Sequence, residues 1–117
     1  MSNIQNQYVF ERLDAYRVAY SALAIIVRHR GTIRGLPGEI GSQLERAAVS
    51  VVANIAEATG KHTVNDRRKS FSVARAEANE TGAMIELAAL YGTFGADYVE
   101  LRLSYTRITY MLTALMR

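Results

Sequence analysis

Apolar residues recur along this chain at intervals of three and four, and no stretch alternates apolar with polar. The first spacing keeps side chains on one side of a helix, whereas a half-buried strand needs alternation. Phe10, Leu13, Tyr16, Tyr20, Leu23 and Val27 form the first line, widened by Ala19, Ala24 and Ile26. It predicts a helix from Tyr8 to the cations Arg28, His29 and Arg30, which suit a negative helix end, with Gly31 as the stop. Thr32 to Leu36 reads as a connection. Pro37 fits the first turn of a second helix, and Glu39 there complements its dipole. That helix runs to about Thr59, stopped by Gly60.

Thr63 and Asp66 have the form of a capping box for a third helix. Phe71, Ala74, Ala78, Thr81, Ile85 and Ala88 make its main line, and Val73, Met84, Leu87 and Tyr91 a second. Gly82 inside it costs roughly 1 kcal/mol against alanine and reads as a spot where another helix comes close. Gly92 and Gly95 bracket the next turn. The fourth helix carries the heptad Tyr98, Leu101, Tyr105, Ile108, Leu112, Leu115. Four helices of roughly 20 residues joined by short turns predict an all-α, antiparallel up-down four-helix bundle.

The second helix is central to this plan. One face is small and apolar: Ile40, Leu44, Ala47, Ala48, Val51, Val52 and Ile55. A polar line, Gln43, Arg46, Ser50, Asn54 and Glu57, steps along the other. Folding back around Lys61–Thr63 sets Arg46 opposite Asn79 and Glu80, Ser50 opposite Arg75, Asn54 opposite Phe71, and Glu57 opposite Arg67 and Arg68. The predicted contact is a partly buried Arg46 with Glu80, or with Glu77 one turn away. This polar seam reads as a hydrogen-bonded layer that sets helix register, or as part of a subunit interface. Catalysis is the weaker reading, because Ser50 has no base within reach and both histidines, His29 and His62, fall in turns at opposite ends. No Glu-x-x-His pair accompanies Glu77 and Glu80, so a carboxylate-bridged metal site is not expected. No cofactor and no small-molecule substrate are expected either.

At 117 residues the chain makes one bundle domain over residues 8–117, preceded by a frayed stretch at 1–7. Such a length buries roughly 65% of its unfolded surface, enough for a core. The absence of cysteine suits a reducing cytoplasm and removes thiolate chemistry. The polar start MSNIQNQ lacks the pattern of a secretory signal. The longest apolar run, Ala22 to Val27, is far too short to span a bilayer, so no membrane is expected.

Net charge is +3, a mild bias toward anionic partners. The topology gathers Arg28, His29, Arg30 and Arg34 at one end, and Lys61, His62, Arg67, Arg68 and Lys69 at the other with Arg12 and Arg117. Asp66 is the lone acid from Lys61 to Ala76. Such an end can hold phosphate by counterion release, without reading sequence. On the residues alone, ordinary charged loops and a solvated helix start are the slightly better explanation of both clusters. Tyr16, Tyr20, Tyr98 and Tyr105 lie on core lines. Val18, Ile25, Leu103, Tyr110 and Met111 lie off the main stripes, and a leftover apolar face favours self-association.

The run Q-L-x-R-A-A-x-S-x-x-x-N-I-A-E from Gln43 to Glu57, with Phe71, Ala74-Arg75, Glu80 and the opening Phe10-Glu11-x-Leu13, resembles a small bacterial four-helix-bundle family. Its members include proteins encoded in intervening sequences of large-subunit ribosomal RNA genes, and accessory variability proteins of diversity-generating retroelements. Two positions depart from the family pattern: Ala58 replaces a usual glycine, and Ala76-Glu77 a usual Gly-Ser. The resemblance implies ring-like homo-oligomers of five copies, and partners such as RNA, DNA or a reverse transcriptase. The function it implies is a non-enzymatic scaffold or adaptor with basic surfaces. The rival is a purely structural homo-oligomer that binds a protein and ignores nucleic acid.

Overall fold

The computed structural model describes residues 6–117; of the stretch expected to fray, residues 1–5 lie outside the described residues. Four long helices form the bundle: α1 (Asp14–Arg28), α3 (Ile40–Thr59), α4 (Val64–Ala89) and α5 (Tyr98–Leu115), with a short α2 (Arg30–Arg34) after α1. Single 3₁₀ turns at Val9–Arg12 and Gly95–Asp97 precede α1 and α5. The long helices alternate in direction. Helix α3 packs between α1 and α4, and α5 closes the ring between α4 and α1. No described helix is long and apolar enough to cross a membrane.

The α3–α4 pair is the most extensive contact. Leu44, Ala47, Ala48, Val51 and Ile55 are fully buried, and so is the entire expected line of α4 from Phe71 to Ala88. Alanines on both helices let the backbones approach closely. The ends follow the sequence signals. Gly60 caps α3, and the Thr63 hydroxyl accepts from the Asp66 backbone N–H at 3.1 Å to open α4. Gly92 and Gly95, both with positive φ, bracket the turn into α5.

Helix α1 departs from expectation in its start and its face, while it ends at Arg28, where the cations placed its end. Leu13 is extended, with φ −81° and ψ 128°, so the α-helix begins at Asp14 rather than at Tyr8. The face turned inward is Ala15, Ala19, Ala22, Ile25 and Ile26, while Tyr20 and Val27 are 57% and 53% exposed. Both lines satisfy the helical spacing. The smaller one is buried because α1 must sit close to the alanine face of α3. Gly31 does not end the helical path but lies inside α2, whose Ile33 is fully buried. Pro37 stands before the helix rather than in its first turn. Gly38, at φ +62°, reverses the chain between them, and Glu39 is the N-cap. Of the second line of α4, Val73, Leu87 and Tyr91 are exposed, while Met84 is half-buried against the core. In α5, Leu101, Tyr105, Ile108 and Leu112 are buried, while Leu103 and Tyr110 are exposed.

The close helix approach expected at Gly82 occurs instead at Gly41. At Gly41 an added Cβ would lie 2.3 Å from the Ile33 carbonyl oxygen, so this is where α2 and α3 touch. At Gly82 an added Cβ meets nothing within 4 Å, so no helix approaches there. Gly82→Ala is therefore expected to raise stability by about 1 kcal/mol, read as a higher urea midpoint. An unchanged or lower midpoint would contradict the open site.

Candidate nucleic-acid interface

The two basic ends differ in how far acids offset their cations. At the α1–α2 end each arginine meets an acid. Asp97 lies 2.8 Å from the His29 ring nitrogen and 4.0 Å from Arg28. Glu45 lies 3.5 Å from Arg30 and 4.0 Å from Arg34. The His29 ring also stands edge-on to the buried Phe94, which holds it in place. Spacing along the chain did not signal these neutralising acids, because Asp97 comes from the turn before α5 and Glu45 from the second turn of α3.

At the α3–α4 end the balance differs. Lys61 pairs with Glu57 at 3.4 Å, and Arg67 donates to the Lys61 carbonyl at 3.1 Å, which clamps the turn. Arg68 and Lys69 are exposed and have no ion-pair partner among the described residues. His62 is exposed in the same turn. Arg12 and Arg117 belong to this end as well, since α1 starts and α5 finishes there, and Arg12 shares a groove with Met111 and Leu115. The first turn of α4 is already capped by Thr63 and carries the carboxylate of Asp66, which offsets part of the positive charge at this end. The charge that remains available to a partner thus collects at one end.

The polar seam forms in part as expected. Arg46 bridges α3 to α4, with nitrogens 2.9 Å from Glu80 and 3.6 Å from Glu77. It does so from the surface, with its side chain 58% exposed, not from a partly buried position. Gln43 turns back to Glu39, and Asn54 donates to the Ser50 carbonyl and hydroxyl at 2.9 and 3.0 Å. Glu57 reaches Lys61 on its own side of the turn instead of crossing to Arg67 or Arg68. The Ser50 hydroxyl thus faces an amide, and Glu77 and Glu80 face a guanidinium.

Burial and then the neighbouring Glu80 raise the Glu77 carboxyl from its ordinary value, against the pull of Arg46. Between its unfolded and folded pKa values the folded chain binds more protons, so stability falls as pH rises through that window. Glu77→Gln is expected to abolish this slope. Urea midpoints taken upward from pH 4.5 should fall for the parent chain and stay flat for the variant. Equal slopes would remove Glu77 as the cause.

Comparison with known proteins agrees with this architecture. No curated protein matches the chain. A solved structure that does match is the crystal structure of a protein with unknown function from the S23 ribosomal protein family of Bacteroides thetaiotaomicron. It aligns with TM-score 0.69 and 24% identity, over 86% of this chain and 98% of that one, a likeness of fold alone. The sequence model of the 23S rRNA-intervening sequence protein family matches residues 11–114, from the turn before α1 to the last turn of α5. With that match spanning every long helix, the chain belongs to the 23S rRNA-intervening sequence protein family.

Proposed function

We propose that this protein is a non-enzymatic adaptor that holds nucleic acid by the phosphate backbone at its α3–α4 end. The observation that carries this reading is the charge asymmetry: Arg68 and Lys69 have no ion-pair partner among the described residues, where Arg28, Arg30 and Arg34 each lie within 4.0 Å of Asp97 or Glu45. A family name tied to 23S rRNA points to the same class of partner. Arg68 and Lys69 carry no base-reading geometry, so this end holds RNA or DNA through charge. In the adaptor role it would deliver nucleic acid to an enzyme such as a reverse transcriptase.

The adaptor works as a homo-oligomer, and we take five copies as the number to test. Its contact surface includes the aromatic strip on α1. Tyr8 and Phe10 from the turn before α1 continue into Tyr16 and Tyr20, with ring centroids 5.1, 4.7 and 6.0 Å apart, the middle pair tilted, and Tyr8 and Tyr20 exposed. The same strip favours the second reading, a purely structural oligomer with a protein partner. Light scattering on a sizing column, with absorbance at 260 and 280 nm in low salt, separates the two. An oligomer carrying excess 260 nm absorbance that high salt removes supports the adaptor. An oligomer with a clean protein spectrum supports the structural reading, and a monomer overturns both.

A further inference from the structure

The two flanks of α4 differ in chemistry. Glu77 and Glu80 reach across to Arg46 on α3. Asn79, Gly82 and Glu86 instead line an open groove against α5. Arg75 and Arg68 precede Asn79 by four and eleven residues, a helical spacing that puts both on this second flank. Arg75 therefore stands along the groove and not opposite Ser50. It is exposed, and its side chain has no ion-pair or hydrogen-bond partner among the described residues. Ser72, between the two arginines, is exposed on the same flank.

The α5 side of the groove carries no acid: from Leu101 to Arg117 the sequence contains neither aspartate nor glutamate. Thr106, Thr109 and Thr113 follow one flank of α5, and their hydroxyls donate to backbone carbonyls one turn earlier, at 2.9, 2.8 and 2.8 Å. Their lone pairs stay able to accept. Tyr110, 73% exposed, stands at the margin. The acid of the groove, Glu86, lies at its far end, where Arg102 at 3.0 Å and the Tyr98 hydroxyl at 2.6 Å engage it. The groove thus opens on two unmatched cations at the basic end, continues between neutral polar groups and an exposed ring, and closes on a matched ion pair.

A carboxylate-rich peptide needs cations along its whole length. A nucleic-acid strand presents phosphates together with sugar hydroxyls, base amino groups and flat faces, which match arginines followed by acceptors and a ring. The axes of packed helices lie about 8–10 Å apart, so the groove between them admits one backbone but not a duplex. We propose that the α4–α5 groove is the track of a single nucleic-acid strand. Arg75 binds phosphate beyond the basic end, Thr106 and Thr109 accept from sugar or base, and Tyr110 stacks on a base. The inference rests on the nucleic-acid reading above and extends it: the strand enters at Arg68 and runs along α4 for about 27 Å, the rise from Arg68 to Glu86.

Fluorescence anisotropy of the full chain with a twelve-nucleotide single strand, and with a duplex of equal length, tests this over a salt series. Arg75→Glu and Gly82→Glu each put a negative charge on the track, the second where added atoms meet open space. Arg107→Glu is the control; Arg107 is exposed one turn before Met111, on the flank of α5 toward α1. Urea midpoints no lower than that of the parent confirm that the variants fold. The expected result is a loss of about tenfold in single-strand affinity for Arg75→Glu and for Gly82→Glu. Arg75→Glu should also flatten the slope of log K against log salt by about 0.7. Single-strand binding to Arg107→Glu, and duplex binding to all three variants, should change by no more than about threefold. Single-strand binding that is lost in Arg68→Glu/Lys69→Glu but kept in Arg75→Glu and Gly82→Glu overturns the track and leaves the basic end standing. An equal loss in Arg107→Glu, or displacement of the strand by polyglutamate of equal charge, also overturns the track. No single-strand binding at low salt overturns both readings. If Arg75→Glu or Gly82→Glu lowers the mass seen by light scattering, the groove is a contact between copies and the proposal fails.

Discussion

Gly41→Ala is expected to lower the stability of the bundle by about 2 kcal/mol, a loss of about 10 °C in Tm. In a helix interior the same substitution ordinarily gains about 1 kcal/mol, so the sign itself is the test. The cause is the 2.3 Å approach of the new Cβ to the Ile33 carbonyl oxygen, with the carbonyl carbon at 3.1 Å and Cγ2 at 3.2 Å. The nearest atom is backbone, and it already accepts the Leu36 N–H at 3.1 Å, so no side-chain rotation relieves the clash. Helix α2 must move off α3, which pulls the fully buried Ile33 out of the core. Urea denaturation measures the loss, and Gly82→Ala in the same host supplies the opposite sign. If both glycine variants are stabilised, α2 does not dock on α3 as described.

Arg68→Glu/Lys69→Glu is expected to weaken binding of a single-stranded oligonucleotide by about 100-fold at low salt, and to flatten the dependence of log K on log salt by about 1.4, two phosphate contacts at about 0.7 each. Both side chains point to water and neither holds the fold together, so Tm should stay within a few degrees of the parent. The control is Arg28→Glu/Arg34→Glu. It changes net charge by the same amount at the end where Asp97 and Glu45 already lie beside the arginines. At about 0.1 M salt, affinity in that variant should fall by no more than about threefold, since its charges lie at the opposite end of the bundle, beyond a Debye length of roughly 10 Å. Fluorescence anisotropy across a salt series measures both variants. Equal losses would mean that net charge, and not its placement, governs binding.

Local signals in the chain were sufficient for the elements that depend on local chemistry. Gly60, the Thr63–Asp66 pair, and Gly92 with Gly95 ended and began helices where their backbone preferences dictate. The α4 line from Phe71 to Ala88 was legible because one apolar stripe dominated it. Arg46 opposite Glu80 followed from the turn at Lys61, since an antiparallel pair with a short connection has only one register. The family resemblance rested on the same helix and its partner.

What failed in the reading of the sequence failed for one physical reason: two arrangements met the same local rule. Helix α1 carries an aromatic line and an alanine line at helical spacing, and only the closeness of α3 decides that the alanines go inside. Gly41 and Gly82 are both glycines in helices, and only the neighbouring backbone distinguishes a contact from a void. The two basic clusters look alike until Asp97 and Glu45, far away in sequence, arrive beside one of them. The groove was likewise hidden, because Asn79, Gly82 and Thr109 share it only once α4 lies against α5. Periodicity and caps thus determined the helices and their pairing by themselves, because those depend on near neighbours. Which face turns inward, which charges stay free and where space remains were decided by tertiary packing, because burial, neutralisation and volume depend on residues that the chain brings together only by folding.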